Sequence, residues 1–137
     1  MVGSREGGCQ CGSIRYRLTG EPIGLSVCHC TECQRQSGSA FGMSLDVPSD
    51  AFVLLSGELR DFVRAAESGN RLRCSFCPEC GTRIHHQSTD DASVLSVKPG
   101  TLDDRSWLVP TLHVWTRDKH GWVRIPEDVE SFEQEPD

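Results

Sequence analysis

The chain has 137 residues, 14 basic and 20 acidic side chains and a formal charge of -6. Its length suits one domain that buries roughly two thirds of its unfolded surface, and its acidic balance excludes a nucleic-acid-binding surface. No apolar run approaches the ~20 residues of a membrane-spanning helix, and Met1-Val2-Gly3-Ser4-Arg5-Glu6 lacks the apolar stretch of a secretory leader, so a cytoplasmic protein without a membrane partner is expected.

Gly7-Gly8 leads into a first cysteine pair, Cys9 and Cys11. Ile14, Tyr16 and Leu18 then alternate with Arg15 and Arg17, the period of a half-buried strand. Ile23, Leu25 and Val27 alternate again and deliver the chain into Cys28-His29-Cys30-Thr31-Glu32-Cys33. Thr31 is the expected cap of a short helical turn through Gln36, with Gly38 as its stop. Phe41, Met43, Leu45 and Val47 form the next alternating run, followed by the apolar Phe52-Val53-Leu54-Leu55. Segments 59–64 and 71–76 flank Glu67-Ser68-Gly69-Asn70, which predicts a hairpin feeding the second pair, Cys77 and Cys80. Strands are also expected over 93–97, where Lys98-Pro99-Gly100 ends the run, and over 111–115. No segment shows a sustained helical period, so the class is mainly β. The last eleven residues hold six acids and no base, while the rest balances at 14 of each. This divides the chain into a single domain over residues 1–126 and an acidic tail over 127–137, expected to be solvated and frayed.

Seven of the eight cysteines fall into a two, three and two arrangement. In a reducing compartment such spacing points to metal before disulfides. Cys9, Cys11, Cys77 and Cys80 supply four thiolates, enough to saturate a tetrahedral structural zinc, and Cys77-Pro78-Glu79-Cys80-Gly81 has the form of a zinc knuckle. Cys28, Cys30 and Cys33 stop one ligand short, which is how a catalytic zinc keeps a position for substrate. An iron–sulfur cluster is the competing reading of the triplet. Cys74 is expected to be a buried free thiol; the alternatives are that it replaces a ligand of the knuckle or, as a fourth ligand of the triplet, closes that site. His29 is expected to point away from the metal, and of the adjacent His85 and His86 at most one faces the site.

The runs Gly8-Cys9-Gln10-Cys11-Gly12, Cys28-His29-Cys30-Thr31-Glu32-Cys33-Gln34-Arg35-Gln36-Ser37-Gly38 and Phe76-Cys77-Pro78-Glu79-Cys80-Gly81-Thr82 together resemble the glutathione-dependent formaldehyde-activating family, which also includes centromere protein V. The likeness spans about Gly7 to Trp122. It implies an Mss4-like fold of coiled antiparallel strands with zinc-binding knuckles. It also implies two Zn2+ per chain, structural on Cys9, Cys11, Cys77 and Cys80 and catalytic on Cys28, Cys30 and Cys33. The implied reaction is a carbon–sulfur lyase reaction that joins glutathione and a small aldehyde, formaldehyde, as S-hydroxymethylglutathione. Arg35, just after the triplet, is the candidate for a glutathione carboxylate, with Ser37 and Thr82 as candidate hydroxyl contacts. The alternative expectation is a non-catalytic, zinc-ribbon-like binding or scaffold module.

Overall fold

A computed structural model describes residues 4–65 and 69–136. In chain order its elements are β1 (Ser4–Gly8), β2 (Arg15–Thr19), β3 (Gly24–Cys28), α1 (Thr31–Ser37), β4 (Gly42–Pro48), β5 (Phe52–Ser56), β6 (Arg60–Ala65), β7 (Arg71–Phe76), β8 (Arg83–Ser88), β9 (Val94–Val97), β10 (Leu112–Val114) and β11 (Glu130–Ser131). The chain is mainly β, as its alternating runs require. Among the described residues, no helix is long and apolar enough to cross a membrane.

Two sheets carry the molecule: a three-stranded one in the order β1-β2-β5 and an eight-stranded one in the order β11-β10-β3-β4-β9-β8-β7-β6. Pairing is antiparallel except where β10 runs parallel to β3 and to β11. The period-2 strands sort their side chains cleanly. Leu25, Leu45, Val47, Leu95 and Val97 of the large sheet pack with Tyr16 and Leu18 of the small one, and with Ile14 just before β2, in a single buried cluster. Burying each such side chain contributes about 1.5–3 kcal/mol. Tyr16, fully buried, stacks on Phe52 at 5.0 Å and satisfies its hydroxyl on Thr101 Oγ1 at 2.6 Å.

The residues between these apolar ones form the opposite, polar face of the large sheet. The ladder sets Ser26 beside Ser44 and Cys28 beside Gly42, then Asp46 beside Ser96, and His86 beside both Ser96 and Cys74. Arg64 pairs with Leu72 on the outer strand. A register shift at Ser75/Phe76 leaves Ile84 as the extra residue of β8. The bulge sends Ile84 into the core, fully buried, while His85 packs edge-on against Phe52 at 4.9 Å and His86 faces the polar side.

Several expectations need correction. The short helix exists, but its cap is Cys30, whose sulfur accepts from Cys33 N; Thr31 is the first helical residue. The stop at Gly38 is as expected, with φ 62° and its amide donating to Gln34 O and Arg35 O. Strands β6 and β7 pair as expected, although Glu67 and Ser68 of the intervening turn lie outside the described residues. The acidic tail is largely exposed, as expected, but it is paired with the sheet rather than frayed. Glu130–Ser131 pairs with β10, Phe132 N donates to His113 O, Trp115 N donates to Gln134 O, and Phe132 packs near the cysteine triplet. The apolar Phe132 and the backbone groups along the edge of β10 outweigh its charge.

Candidate metal centres and the cavity between them

The first centre forms where two turns meet. Cys9 and Cys11 lie in the turn from β1 to β2, closed by Gly12 N donating to Cys9 O at 3.2 Å; Cys77 and Cys80 lie in the turn from β7 to β8, closed by Gly81 N donating to Cys77 O at 2.8 Å. Gly12 and Gly81 hold φ of 86° and 83°, a conformation that glycine adopts without strain. The four sulfurs lie within 4.8 Å of one another, with Cys9–Cys11 at 3.6 Å and Cys11–Cys77 at 3.8 Å. Sulfurs ~2.3 Å from a central zinc in a tetrahedron stand about 3.8 Å apart, so the donor set fits that ion. Donors already point at the sulfurs: Ile14 N to Cys9 at 3.2 Å, Glu79 N to Cys77 at 3.3 Å, and the Ser13 and Thr82 hydroxyls at 3.2 Å from Cys11 and Cys80. The Thr82 hydroxyl and amide, with the Cys11 amide, pull the Cys80 thiol down to about 5. The turn is built for thiolates.

The second centre is one segment. Cys28 ends β3, Cys30 caps α1, and Cys33 sits in its first turn, the three sulfurs within 4.8 Å of one another. Cys33 N donates to Cys30 Sγ at 3.3 Å. Hydrogen bonds from the Cys28 and Cys33 thiols, helped by the Cys33 and Glu32 amides, bring Cys30 down to about 2. The same contacts with Cys30 and Cys33, together with burial, push Cys28 far up. For Cys33 the Cys28 thiol pulls down, but Cys30 and burial prevail and the thiol rises to about 11. Three crowded thiols thus share a single easily lost proton, and a divalent cation is the partner that lets all three ionise. Among the described residues, no fourth Cys, His, Asp or Glu joins the group. Cys74 is buried apart from both centres, its thiol 4.0 Å from Leu72 O.

Neighbours fix this segment. Gln34 donates to His29 O at 2.8 Å and to Asp118 O at 3.1 Å, and its Oε1 meets His120 Nε2 at 2.8 Å. His29, wholly buried, turns from the thiols to stack with His113, Nε2 to Nδ1 at 2.9 Å, and meets the edge of Phe41.

The three cysteines open onto a cavity of ≈ 180 Å³ whose floor is the polar sheet face: Ser26, Ser44, Asp46, Ser96, His86 and Arg64. Trp115 and Glu135 of the C-terminal segment complete its wall, joined by Trp115 Nε1 donating to Glu135 Oε1 at 2.9 Å. Burial pushes the Asp46 carboxyl up, against the Ser96 hydroxyl, which donates to it at 2.6 Å, and Lys98. Burial, with Lys98 and Arg64 nearby, holds the His86 imidazole well below its usual value. A second cavity, ≈ 370 Å³, lies between the end of α1 and the knuckle, lined by Gln36, Ser37, Thr82, Arg83 and Lys98 among others.

All seven paired and tripled cysteines are brought together as their spacing suggested. Ser37 and Thr82 reach the second cavity, though the Thr82 hydroxyl is already on Cys80. Arg35 is exposed on α1 and is not among the residues lining either cavity. Asp46, Arg64, Lys98, Trp115 and Glu135 escaped the sequence reading, while His86 is the one of the adjacent histidine pair that faces the cavity. The signal for two of them, Asp46 and Lys98, was present: Ser26-x-Cys28, Ser44-x-Asp46 and Ser96-x-Lys98 place polar residues on the same alternate positions in or just after three strands.

A mainly β scaffold with a four-thiol knuckle and a three-thiol group facing a polar cavity defines the class. Residues 4–118 match the sequence profile of the glutathione-dependent formaldehyde-activating enzymes, and the chain belongs to that family. A Halomonas elongata protein, provisionally named as a glutathione-dependent formaldehyde-activating enzyme, is 24% identical over 135 residues, which is 95% of this chain and 83% of that protein. The crystal structure of a Rhodobacter sphaeroides protein, 18% identical, superimposes with a TM-score of 0.58 over 77% of this chain and 97% of that one, a likeness of fold.

Proposed function

We propose that the chain is a zinc-dependent carbon–sulfur lyase that forms and cleaves S-hydroxymethylglutathione or a closely related thiol adduct, in the cytoplasm. The observation that carries this reading is the three-cysteine group at the head of α1, which faces a polar cavity and has no fourth protein donor among the described residues. Cys28, Cys30 and Cys33 would hold the catalytic zinc, and Cys9, Cys11, Cys77 and Cys80 a structural one. Bound in the triplet, zinc supplies Lewis acidity, lowering the pKa of an incoming thiol at neutral pH.

In the synthetic direction the thiol sulfur forms a bond to the formaldehyde carbon, the carbonyl π pair moves to oxygen, and that oxygen takes a proton in place of the one the thiol lost. The chain's residues orient and protect this exchange. Trp115 and Val114 give the cavity an apolar wall, while Asp46, whose carboxyl is raised by burial, is the group in the cavity best suited to carry the thiol proton to the new hydroxyl. Holding both reactants side by side is the greatest help the protein can give, because the uncatalysed addition already proceeds in water.

Exchange spectroscopy on mixtures of glutathione, formaldehyde and their adduct tests this directly. The expected outcome is exchange that rises in proportion to protein concentration and falls to background in Cys28→Ser. A wild-type rate equal to the protein-free rate would remove the lyase reading.

A further inference from the structure

A single residue, His29, joins Cys28 to Cys30, and its backbone sets how their two sulfurs are presented. Its amide donates to Val114 O at 3.0 Å, and its ring is wholly buried against His113. Its carbonyl precedes the first hydrogen bond of α1, Gln34 N to Cys30 O at 3.0 Å, and the Cys33 amide is turned to Cys30 Sγ at 3.3 Å, so neither amide serves it. A buried carbonyl needs a donor. The side chain of Gln34 supplies it, Nε2 to His29 O at 2.8 Å, and the same nitrogen donates to Asp118 O at 3.1 Å. One half-buried amide group therefore bridges the turn between two cysteines and the segment that follows Trp115. Two carbonyl oxygens against the nitrogen leave a single orientation for the amide: Oε1 accepts, and the group that it meets at 2.8 Å, His120 Nε2, donates.

We propose that Gln34 is a positioning residue for the metal of the three-cysteine centre and that His120 holds it in its bridging orientation. The proposal rests on the metal assigned to Cys28, Cys30 and Cys33 under the proposed function, and it names the groups outside the ligand set that keep those sulfurs convergent. Three thiolates at the head of one short helix bring like charges together, so the turn that carries them needs support from beyond itself. Partners that touch the ligand segment rather than the metal commonly decide affinity by 10–100-fold. His120 lies past residues 4–118, so this support comes from outside the part of the chain that matches the family profile.

Titration of the metal-free chain with cobalt(II) against a competing chelator, read by thiolate-to-cobalt absorption, gives the affinity of each centre, with Cys28→Ser supplying the spectrum of the four-thiol centre alone. Gln34→Met keeps the length of the side chain and removes its hydrogen bonds; Gln34→Glu sets a carboxylate against two carbonyl oxygens. Gln34→Met is expected to weaken the three-cysteine centre by about tenfold or more and Gln34→Glu further still, while the four-thiol centre keeps its affinity. His120→Ala is expected to weaken the same centre by less and to add nothing to Gln34→Met, because it acts through that residue. Unchanged affinity in Gln34→Met, an equal loss at both centres, or Gln34→Glu no worse than Gln34→Met overturns the positioning role; an additive His120→Ala overturns its dependence on Gln34. A wild type that loads cobalt only in the four-thiol centre overturns the catalytic metal and this proposal together. Failure of the exchange reaction with the expected order of affinities overturns the lyase reading alone. His120 is exposed, so its variant keeps the test open if a Gln34 variant fails to fold.

Discussion

His85 and His86 show how one residue step decides chemistry. His86 faces the cavity beside Ser96, whereas His85 lies against Phe52 with its Nδ1 buried and unpartnered among the described residues. Burial lowers the His85 imidazole to about 4, only partly opposed by Asp61. Because its folded pKa lies below the unfolded 6.5, the unfolded chain takes up the proton first; the stability is complete above about 6.5 and is lost as pH falls toward 4. One such group costs roughly 2 kcal/mol at pH 5. His85→Phe, which keeps the ring and removes the titration, is expected to flatten the decline in urea midpoint between pH 7 and 5; an unchanged decline would locate the acid sensitivity elsewhere. At this scale the cysteines were the legible part, because metal ligation demands residue types at fixed short spacings. Arg64 and Lys98 were not legible as site residues, since a lone cation on a strand carries no sign of what lies across the ladder. Gly42 was equally silent, yet a Cβ there would meet Cys33 Cβ at 3.2 Å and Gln36 Nε2 at 3.0 Å, so bare backbone is what admits the triplet against β4.

The strands with apolar alternation, β2, β3, β4, β9 and β10, could be read from the chain because one face of each enters a core. β1, with the sequence Ser-Arg-Glu-Gly-Gly, and the two-residue β11 have no such pattern and exist through backbone pairing with a neighbour. β11 matters most for the site. It lies beyond the residues that match the family profile, and the segment that follows it brings Glu135 to the cavity and ties down Trp115. Trp115 holds φ at 58°, a left-handed conformation worth about 1–2 kcal/mol of strain in a non-glycine residue, maintained by hydrogen bonds to Gln134 and Glu135 and by Arg117 over its ring at 4.7 Å. A chain ending at Val129 is expected to lose about 1–3 kcal/mol of stability, and to expose Trp115 to iodide quenching that the full chain resists. Truncation that leaves both the melting temperature and the quenching unchanged would mean that the tail does not hold this wall.

Across the whole molecule the different duties proposed for the two centres follow from where they lie in the topology. The four-thiol centre joins the β1–β2 turn of the small sheet to the β7–β8 turn of the large one, and Cys11 and Cys77 close a loop of 66 residues. A clip of that span restricts the unfolded chain strongly and holds the two sheets across their shared core. The three-thiol centre lies within a single β3-α1 segment on the polar face, so a metal held there would close little chain, which fits the catalytic duty proposed for it. The four-plus-three count implied this division. What it lacked was the strand order, in which β9 returns beside β4 and assembles a continuous polar floor from residues fifty positions apart, such as Asp46 and Ser96. The most direct test is zinc analysis with thermal unfolding of the wild type, Cys28→Ser and Cys9→Ser. Two zinc ions are expected in the wild type. Cys28→Ser should lose one of them and melt within about 3 °C of the wild type, whereas Cys9→Ser should melt at least about 10 °C lower, the scale of a lost structural metal. Equal destabilisation by the two substitutions would contradict a division between a metal that holds the fold and a metal that works on substrate.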